Sequence, residues 1–215
     1  MRLYRFAALS GVVAVVLVVI SFAALGQDTP GIKSSPEKVA AFYDAHSGRE
    51  QGASYLAAIA IFFLVVYGAS LWARLRASTS AVVWPNVAFA GCILGALGLG
   101  VGATIHLALA DGADHPAVVL QALQALNVLD NDSYLPFASP FGVMLLGAAG
   151  AWVGAAGAAR WFGWIALVLG ILVFTPLGFF GFLGAGLWIL ATSIYFFVTR
   201  ERAPHEPPIP EAVTT

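Results

Sequence analysis

Apolar residues occur along the chain in six long runs that are separated by shorter polar intervals. A helix needs about 20 apolar residues to cross the hydrocarbon core of a bilayer, and each run meets or approaches that length. We therefore predict an all-α membrane protein, a six-transmembrane-helix bundle that forms a single domain over residues 1–200. The predicted spans are residues 6–25, 53–71, 87–110, 134–156, 161–177 and 180–198.

The first apolar run has two interpretations. Arg2 and Arg5 precede it, and the small residues Ala23, Ala24 and Gly26 lie near its end, as in a secretory signal peptide. The run is longer than the roughly 7 to 15 apolar residues of a signal peptide, which favours a retained helix. Cleavage would leave five spans and an external N-terminus.

The segment that follows the last apolar run is rich in proline. Residues 201–215 contain Pro204, Pro207, Pro208 and Pro210, which cannot sustain a helix. We predict that this segment is a disordered cytoplasmic tail.

Basic residues are distributed unevenly between the polar intervals. Positively charged loops resist translocation, and an N-terminus in the cytoplasm places seven basic residues inside and three outside. This predicts a multi-pass protein of the bacterial inner (cell) membrane with both termini cytoplasmic. The inside residues are Arg2, Arg5, Arg74, Arg76, Arg160, Arg200 and Arg202, and the outside ones are Lys33, Lys38 and Arg49.

Two short amphipathic helices are predicted on the outer face. In the first outer loop, Ser35 suits an N-cap, Pro36 the first helical position and Glu37 the first turn. Apolar residues share one helical face at Val39, Phe42, Tyr43 and His46 in this loop and at Val119, Leu123 and Leu126 in the second. Together the two helices are expected to form a lid over the outer mouth of the bundle.

Glycines recur at helical spacing in the third and fourth predicted spans. Small residues let helix backbones approach closely in lipid, where the hydrophobic effect does not drive association. We expect these two faces to be helix-packing surfaces, in contact with each other. They consist of Gly91, Gly95, Gly98 and Gly102 in one span and Gly147, Gly150, Gly154 and Gly157 in the other.

Composition agrees with a membrane protein and excludes several other classes. Hydrophobic residues make up 60% of the 215 residues and charged residues 10%, against about a quarter charged in soluble domains. The net charge of −1 provides no basic surface for nucleic acid. Cys92 is the only cysteine, so an internal disulfide or a multi-cysteine metal cluster is excluded.

Candidate chemistry is confined to the outer ends of the spans. No Asp, Glu, Lys or Arg falls in the centre of a predicted span, which argues against a carboxylate proton relay. His106 is the one titratable residue inside a span, and imidazoles and carboxylates suit zinc. The weak candidates for a metal site are His46, His106, His115, Asp111 and Asp114.

These candidates lack the spacing of a known metal site, such as two histidines four residues apart on a helix. A local structural role for His106 is therefore favoured. No nucleophile motif, P-loop, dinucleotide fingerprint or Cys-x-x-Cys is present, and we predict no catalytic residue and no cofactor.

Three stretches resemble a group of actinobacterial integral membrane proteins of unknown function. They are Ala41-Phe42-Tyr43-Asp44-Ala45-His46, the segment from Leu123 to Leu129, and Arg160-Trp161-Phe162-Gly163-Trp164. The resemblance extends from about Pro36 to Arg200. It implies about six spans and carries no activity and no set of catalytic residues.

Three hypotheses for function follow. The first is a non-enzymatic membrane protein that binds a lipid or a membrane partner protein. Its predicted partners are the lipid bilayer and either another membrane protein or further copies of itself in a homo-oligomer. The second is a small transporter or channel subunit that acts as an oligomer. The third is a metal-dependent membrane enzyme at the outer face.

Overall fold

A computed structural model describes residues 6–25 and 28–199, which form helices joined by short loops, with no strand among them. We number the helices α1 (Ser10–Val19, followed by the π-helical segment Ile20–Leu25), α2 (Pro36–Ser78), α3 (Val83–Gly112), α4 (Leu120–Asp132), α5 (Tyr134–Trp152), α6 (Ala158–Val173) and α7 (Gly178–Val198). The predicted all-helical class is confirmed. The predicted tail at 201–215 lies outside the described residues.

Five helical stretches are long and apolar enough to cross a membrane. They are Phe6–Ala23, Pro36–Ser78, Val83–Gly112, Leu120–Trp152 and Gly178–Val198. Helix α6 is apolar but has only 16 residues, about 24 Å of helix at 1.5 Å per residue. The described residues thus contain five candidate spans and one shorter apolar helix.

Helix α2 differs from its prediction. Ser35 caps it by accepting from the Lys38 N–H at 3.4 Å, and Pro36 begins it, as the sequence indicates. The predicted short surface helix does not end before the span, however, because the helix continues without a break for 43 residues. No proline interrupts it after Pro36, so the polar turns around Arg49 remain helical.

The apolar helices form a closed ring in which consecutive members run antiparallel. For example, Gly68 of α2 faces Cys92 of α3 near one end, and Gly100 of α3 faces Ile61 of α2 toward the other. The ring closes between α1 and α7, where the rings of Phe6 and Phe197 lie 6.3 Å apart. The two ends of the described chain therefore lie at the same end of the bundle.

The bundle has two distinct ends. One carries Arg74, Arg76 and Arg160, at the end of α2 and the beginning of α6; we call it the arginine end. The other carries helix α4 and the loop 28–35, and we call it the α4 end. There Val39 and Tyr43 of α2 pack with Leu109 of α3 and Leu123 of α4.

Glycines bring α3 and α5 into close contact. A Cβ on Gly91 would lie 2.8 Å from the Pro140 carbonyl oxygen, and one on Gly98 would meet the carbonyl oxygen of Pro136. Pro140 lies within α5 and has no N–H for the Pro136 carbonyl four residues earlier. Because Gly98 has no side chain, the backbone of α3 can approach the unbonded Pro136 carbonyl oxygen of α5 closely.

The predicted glycine faces agree only in part with this contact. Gly95 lies against the Phe141 ring, and Gly147 and Gly150 lie against Ala88 and Trp84 of α3. Gly154 and Gly157 have open space around them, because α5 ends at Trp152 and both lie in the following turn. A Cβ on Gly102 would meet only the Ser133 hydroxyl, at 3.7 Å.

Candidate ligand-binding cavity

A cavity of about 470 Å³ lies inside the α4 end of the bundle. This volume is within the range of roughly 300–1,000 Å³ that is usual for small-molecule sites. Along α3 its wall extends from His106 to Gly98, about 12 Å of helix. The cavity therefore reaches from the α4 end to near the middle of α3.

The wall of the cavity is divided into an apolar part and a polar part. Residues from α1, α2, α3, α5 and α7 form the apolar part, with the Phe137 ring 5.9 Å from Phe22 and 4.9 Å from Phe182. The polar part lies at the α4 end and consists of Ser21, Thr29, Ser54, His106, Asp130, Asn131 and Ser133. This distribution matches a molecule with an apolar body and one polar end.

The cavity opens sideways between α1 and α7. These helices touch at the arginine end, where a Cβ on Gly11 would meet Ser193 and Ile189. Toward the α4 end both helices line the cavity instead. The wall residues Val19, Phe22, Phe179 and Leu183 are 48–56% exposed. The opening is thus bordered by apolar side chains on the circumference of the bundle.

A cluster of charged side chains lies behind the polar wall. Glu50 of α2 is fully buried, and one of its oxygens accepts from Arg49 Nη2 at 2.7 Å and from Arg49 Nε at 2.9 Å. Its second oxygen lies 2.8 Å from His106 Nε2. Both carboxylate oxygens therefore have partners, as a buried charge requires.

His106 connects this buried carboxylate with the cavity. Its Nδ1 lies 3.2 Å from an oxygen of Asp130 on α4, so the ring stands between two carboxyl groups. The ring donates to both only when it carries two protons. In that form the four groups Arg49, Glu50, His106 and Asp130 are electrically balanced, with two charges of each sign.

Helix α4 and the loop 28–35 cover the cavity at the α4 end. Three side-chain amides on one face of α4 donate to three consecutive loop carbonyls: Gln124 to Ile32 at 3.4 Å, Asn127 to Gly31 at 3.4 Å and Asn131 to Pro30 at 3.1 Å. These amides hold the loop along the helix in antiparallel direction. The lid over the bundle thus consists of this loop and α4, and the Pro36–His46 segment supports it from the side.

The structure does not bring the predicted metal candidates together. His46 bonds to the Phe42 carbonyl at 2.8 Å, His115 accepts from the Ala117 N–H at 3.3 Å, and Asp111 accepts from Gln51 at 2.8 Å. Of the five candidates, only His106 lines the cavity. Asp130, which was not a candidate, lines it as well. No group of three or more His, Cys, Asp or Glu side chains suited to a metal ion occurs in the described part of the chain.

Three residues of the cluster, Arg49, Glu50 and Asp130, were missed as site candidates because they lie outside the predicted spans. Glu50 precedes the predicted span 53–71, and Asp130 lies in the second outer loop. The helical spacing of Glu50, Ser54 and Ala57 is the signal that was available, because it places the carboxylate on the same face as two buried residues of the span.

Comparisons of the chain with protein-family models, with curated proteins and with solved structures find no match. The resemblance to actinobacterial membrane proteins therefore stays a prediction.

Proposed function

We propose that this chain is a six-span membrane protein that binds a single amphiphilic molecule, a lipid or a lipid-like compound, in the cavity at the α4 end. The observation that carries the proposal is the cavity itself, with its apolar wall, its polar end at His106 and Asp130, and its sideways opening. A molecule from one bilayer leaflet enters such a site without crossing water. The role is binding, with no catalytic group assigned.

The orientation of the protein is part of the proposal. The excess of arginine supports a cytoplasmic arginine end, which places the cavity in the outer leaflet. The 16 residues of α6 and the turns beside them complete the sixth span. A partner protein or a homo-oligomer stays a prediction.

The extent of the cavity supports a binding protein over a pore. Its wall ends near Gly98 and Leu99, and the core beyond is filled by the buried side chains of Tyr67, Met144 and Trp188. An open channel needs a continuous path through the bundle, so this packing argues against a channel and favours a site with one entrance.

Orientation is tested with single introduced cysteines at Ser80 and Asp114, which are exposed at opposite ends of the bundle. Cys92 is fully buried and is expected to react slowly. A membrane-impermeant maleimide should label Asp114→Cys in intact cells and Ser80→Cys only after lysis. Labelling of Ser80→Cys alone in intact cells would reverse the proposed orientation.

Binding is tested by filling the cavity. Gly102 lines it and has room for a side chain, so Gly102→Leu should occupy part of the volume. The matched control is Gly48→Leu, at an exposed position of α2 with nothing within 4 Å of a new Cβ. The probe is a long-chain alcohol with a diazirine in its tail, photocrosslinked to the purified protein in bilayer nanodiscs.

The expected result is saturable crosslinking to wild type and to Gly48→Leu, mapped to peptides of α1, α3 or α7. In Gly102→Leu it should fall about tenfold or more, which corresponds to about 1.4 kcal/mol of binding free energy. Equal labelling of Gly102→Leu and wild type would show that the cavity is not the site. Labelling that does not saturate would show only contact with bulk lipid and would overturn the proposal.

A further inference from the structure

The polar end of the cavity is rich in free hydrogen-bond acceptors and poor in free donors, because its donors are already engaged. The three serine hydroxyls on the wall donate to backbone carbonyls: Ser21 to Ala53 at 2.7 Å, Ser54 to Glu50 at 3.1 Å and Ser133 to Asp130 at 2.7 Å. A hydroxyl has one hydrogen. What each of them still offers is an oxygen lone pair.

The nitrogen donors are engaged in the same way. The side-chain amide nitrogen of Asn131 donates to Pro30 and, at 2.8 Å, to the Asn127 carbonyl, which uses both of its hydrogens. Both ring nitrogens of His106 face carboxylates. The Thr29 hydroxyl is the one side-chain donor on this wall that has no acceptor among the described residues.

Two stronger acceptors are left without a partner among the described residues. One carboxylate oxygen of Asp130 bonds to His106, and the other has no donor. The side-chain oxygen of Asn131 has none either. Both residues line the cavity, so these two acceptors belong to the side chains beside which a bound polar group would lie.

From this arrangement we infer the chemical class of the ligand: an amphiphile whose head group donates hydrogen bonds and has no negative charge, that is, a hydroxyl or an ammonium group. The inference rests on the proposed binding function and specifies its ligand. An anionic head would face the Asp130 carboxylate and find few donors, while a head without a hydrogen to donate would leave the acceptor oxygens desolvated.

The test compares four competitors with the same alkyl chain: the primary alcohol, its methyl ether, the alkylammonium and the alkyl sulfonate. Each competes with the photoreactive alcohol for wild-type protein in nanodiscs. The alcohol and the ammonium should compete at concentrations at least about tenfold lower than the ether and the sulfonate. The alcohol–ether pair isolates the donated hydrogen, and the sulfonate isolates the charge.

Asp130→Asn tests the residue held responsible. The amide keeps an oxygen for His106, removes the negative charge and adds donors, so binding of the ammonium should weaken while that of the sulfonate strengthens. The control is Asp111→Asn at the same end of the bundle, where the carboxylate bonds to Gln51 and does not line the cavity. It should leave the order of the four competitors unchanged.

The outcomes separate this inference from the proposal on which it rests. If the ether or the sulfonate competes as well as the alcohol, and Gly102→Leu still lowers crosslinking about tenfold or more, the cavity binds amphiphiles but the assigned head group is wrong. If no competitor displaces the probe, the binding function itself fails. An Asp130→Asn protein with an unchanged order of competitors would remove Asp130 as the selective group.

Discussion

The two halves of this bundle are built from the same helices and differ in what lies between them. At the arginine end the interior is filled, with Tyr67 bonded to Thr192 at 2.7 Å and Trp152 donating to Ser78 at 2.9 Å. At the α4 end α1 and α7 are separated by a cavity, and a buried ion cluster stands beside it. Close packing and the cavity thus occupy different halves of the bundle.

The contact between α3 and α5 continues through both halves. We call the half at the arginine end the packed half and the half at the α4 end the open half. Gly91 lies against the α5 backbone in the packed half, and Gly98 does so in the open half, beside the cavity. The space at the α4 end therefore comes from α1 and α7, at the circumference. If the proposed ligand enters through this gap, the close contact between α3 and α5 need not change.

The largest effect on stability is expected at Glu50, the buried charge of the open half. Glu50→Ala removes the carboxylate that Arg49 and His106 share, and removing one member of a buried charge cluster costs about 3–5 kcal/mol. Asp111→Ala, whose carboxylate is at an exposed position, should change stability by about 0.5 kcal/mol or less. Unfolding of the two variants in a denaturing detergent titration measures the difference.

A similar stability for these two variants would contradict the assignment of Glu50 as the centre of the cluster. It would then be an acid that reaches solvent or lipid head groups, and the open half would contain no buried charge of consequence.

A pair of glycine substitutions compares the halves directly. In the packed half, Gly91→Ala places a methyl group 2.7 Å from the Met144 Cα, so the helices must separate, at a cost of about 1–3 kcal/mol. In the open half, Gly102→Ala meets only an atom at 3.7 Å and should stabilise the helix by about 0.5–1 kcal/mol. Thermal unfolding in the same detergent should give shifts of opposite sign.

Shifts of the same sign would mean that the two halves do not differ in packing. Gly52→Ala, with nothing within 4 Å of the new Cβ, measures the gain in helix stability alone and is the control for both variants.

The two halves also differ in how much of their structure could be predicted from the sequence. The packed half follows from local pattern: apolar runs predict the helices, and glycines four and three residues apart predict the contact at Gly91 and Gly98. The open half depends on pairings distant in sequence, such as Glu50 with His106 and Asn131 with Pro30. Hydropathy ends a span at the first polar residues, so the predicted span 53–71 leaves out Arg49 and Glu50 although α2 continues through them.

The smallest effect on stability is expected from removing the hydroxyl groups of two fully buried tyrosines, one in each half. The Tyr67 hydroxyl bonds to Thr192, and such a bond between membrane helices contributes about 0.6 kcal/mol, so Tyr67→Phe should destabilise by about that amount. The Tyr43 hydroxyl is buried without a partner among the described residues, and Tyr43→Phe removes an unsatisfied group, which is neutral or stabilising. Unfolding both variants in parallel detergent titrations measures whether each substitution lowers or raises the stability. An equal loss at both positions would show that Tyr43 has a hydrogen-bond partner in the membrane, and that the polar groups of the open half are as fully satisfied as those of the packed one.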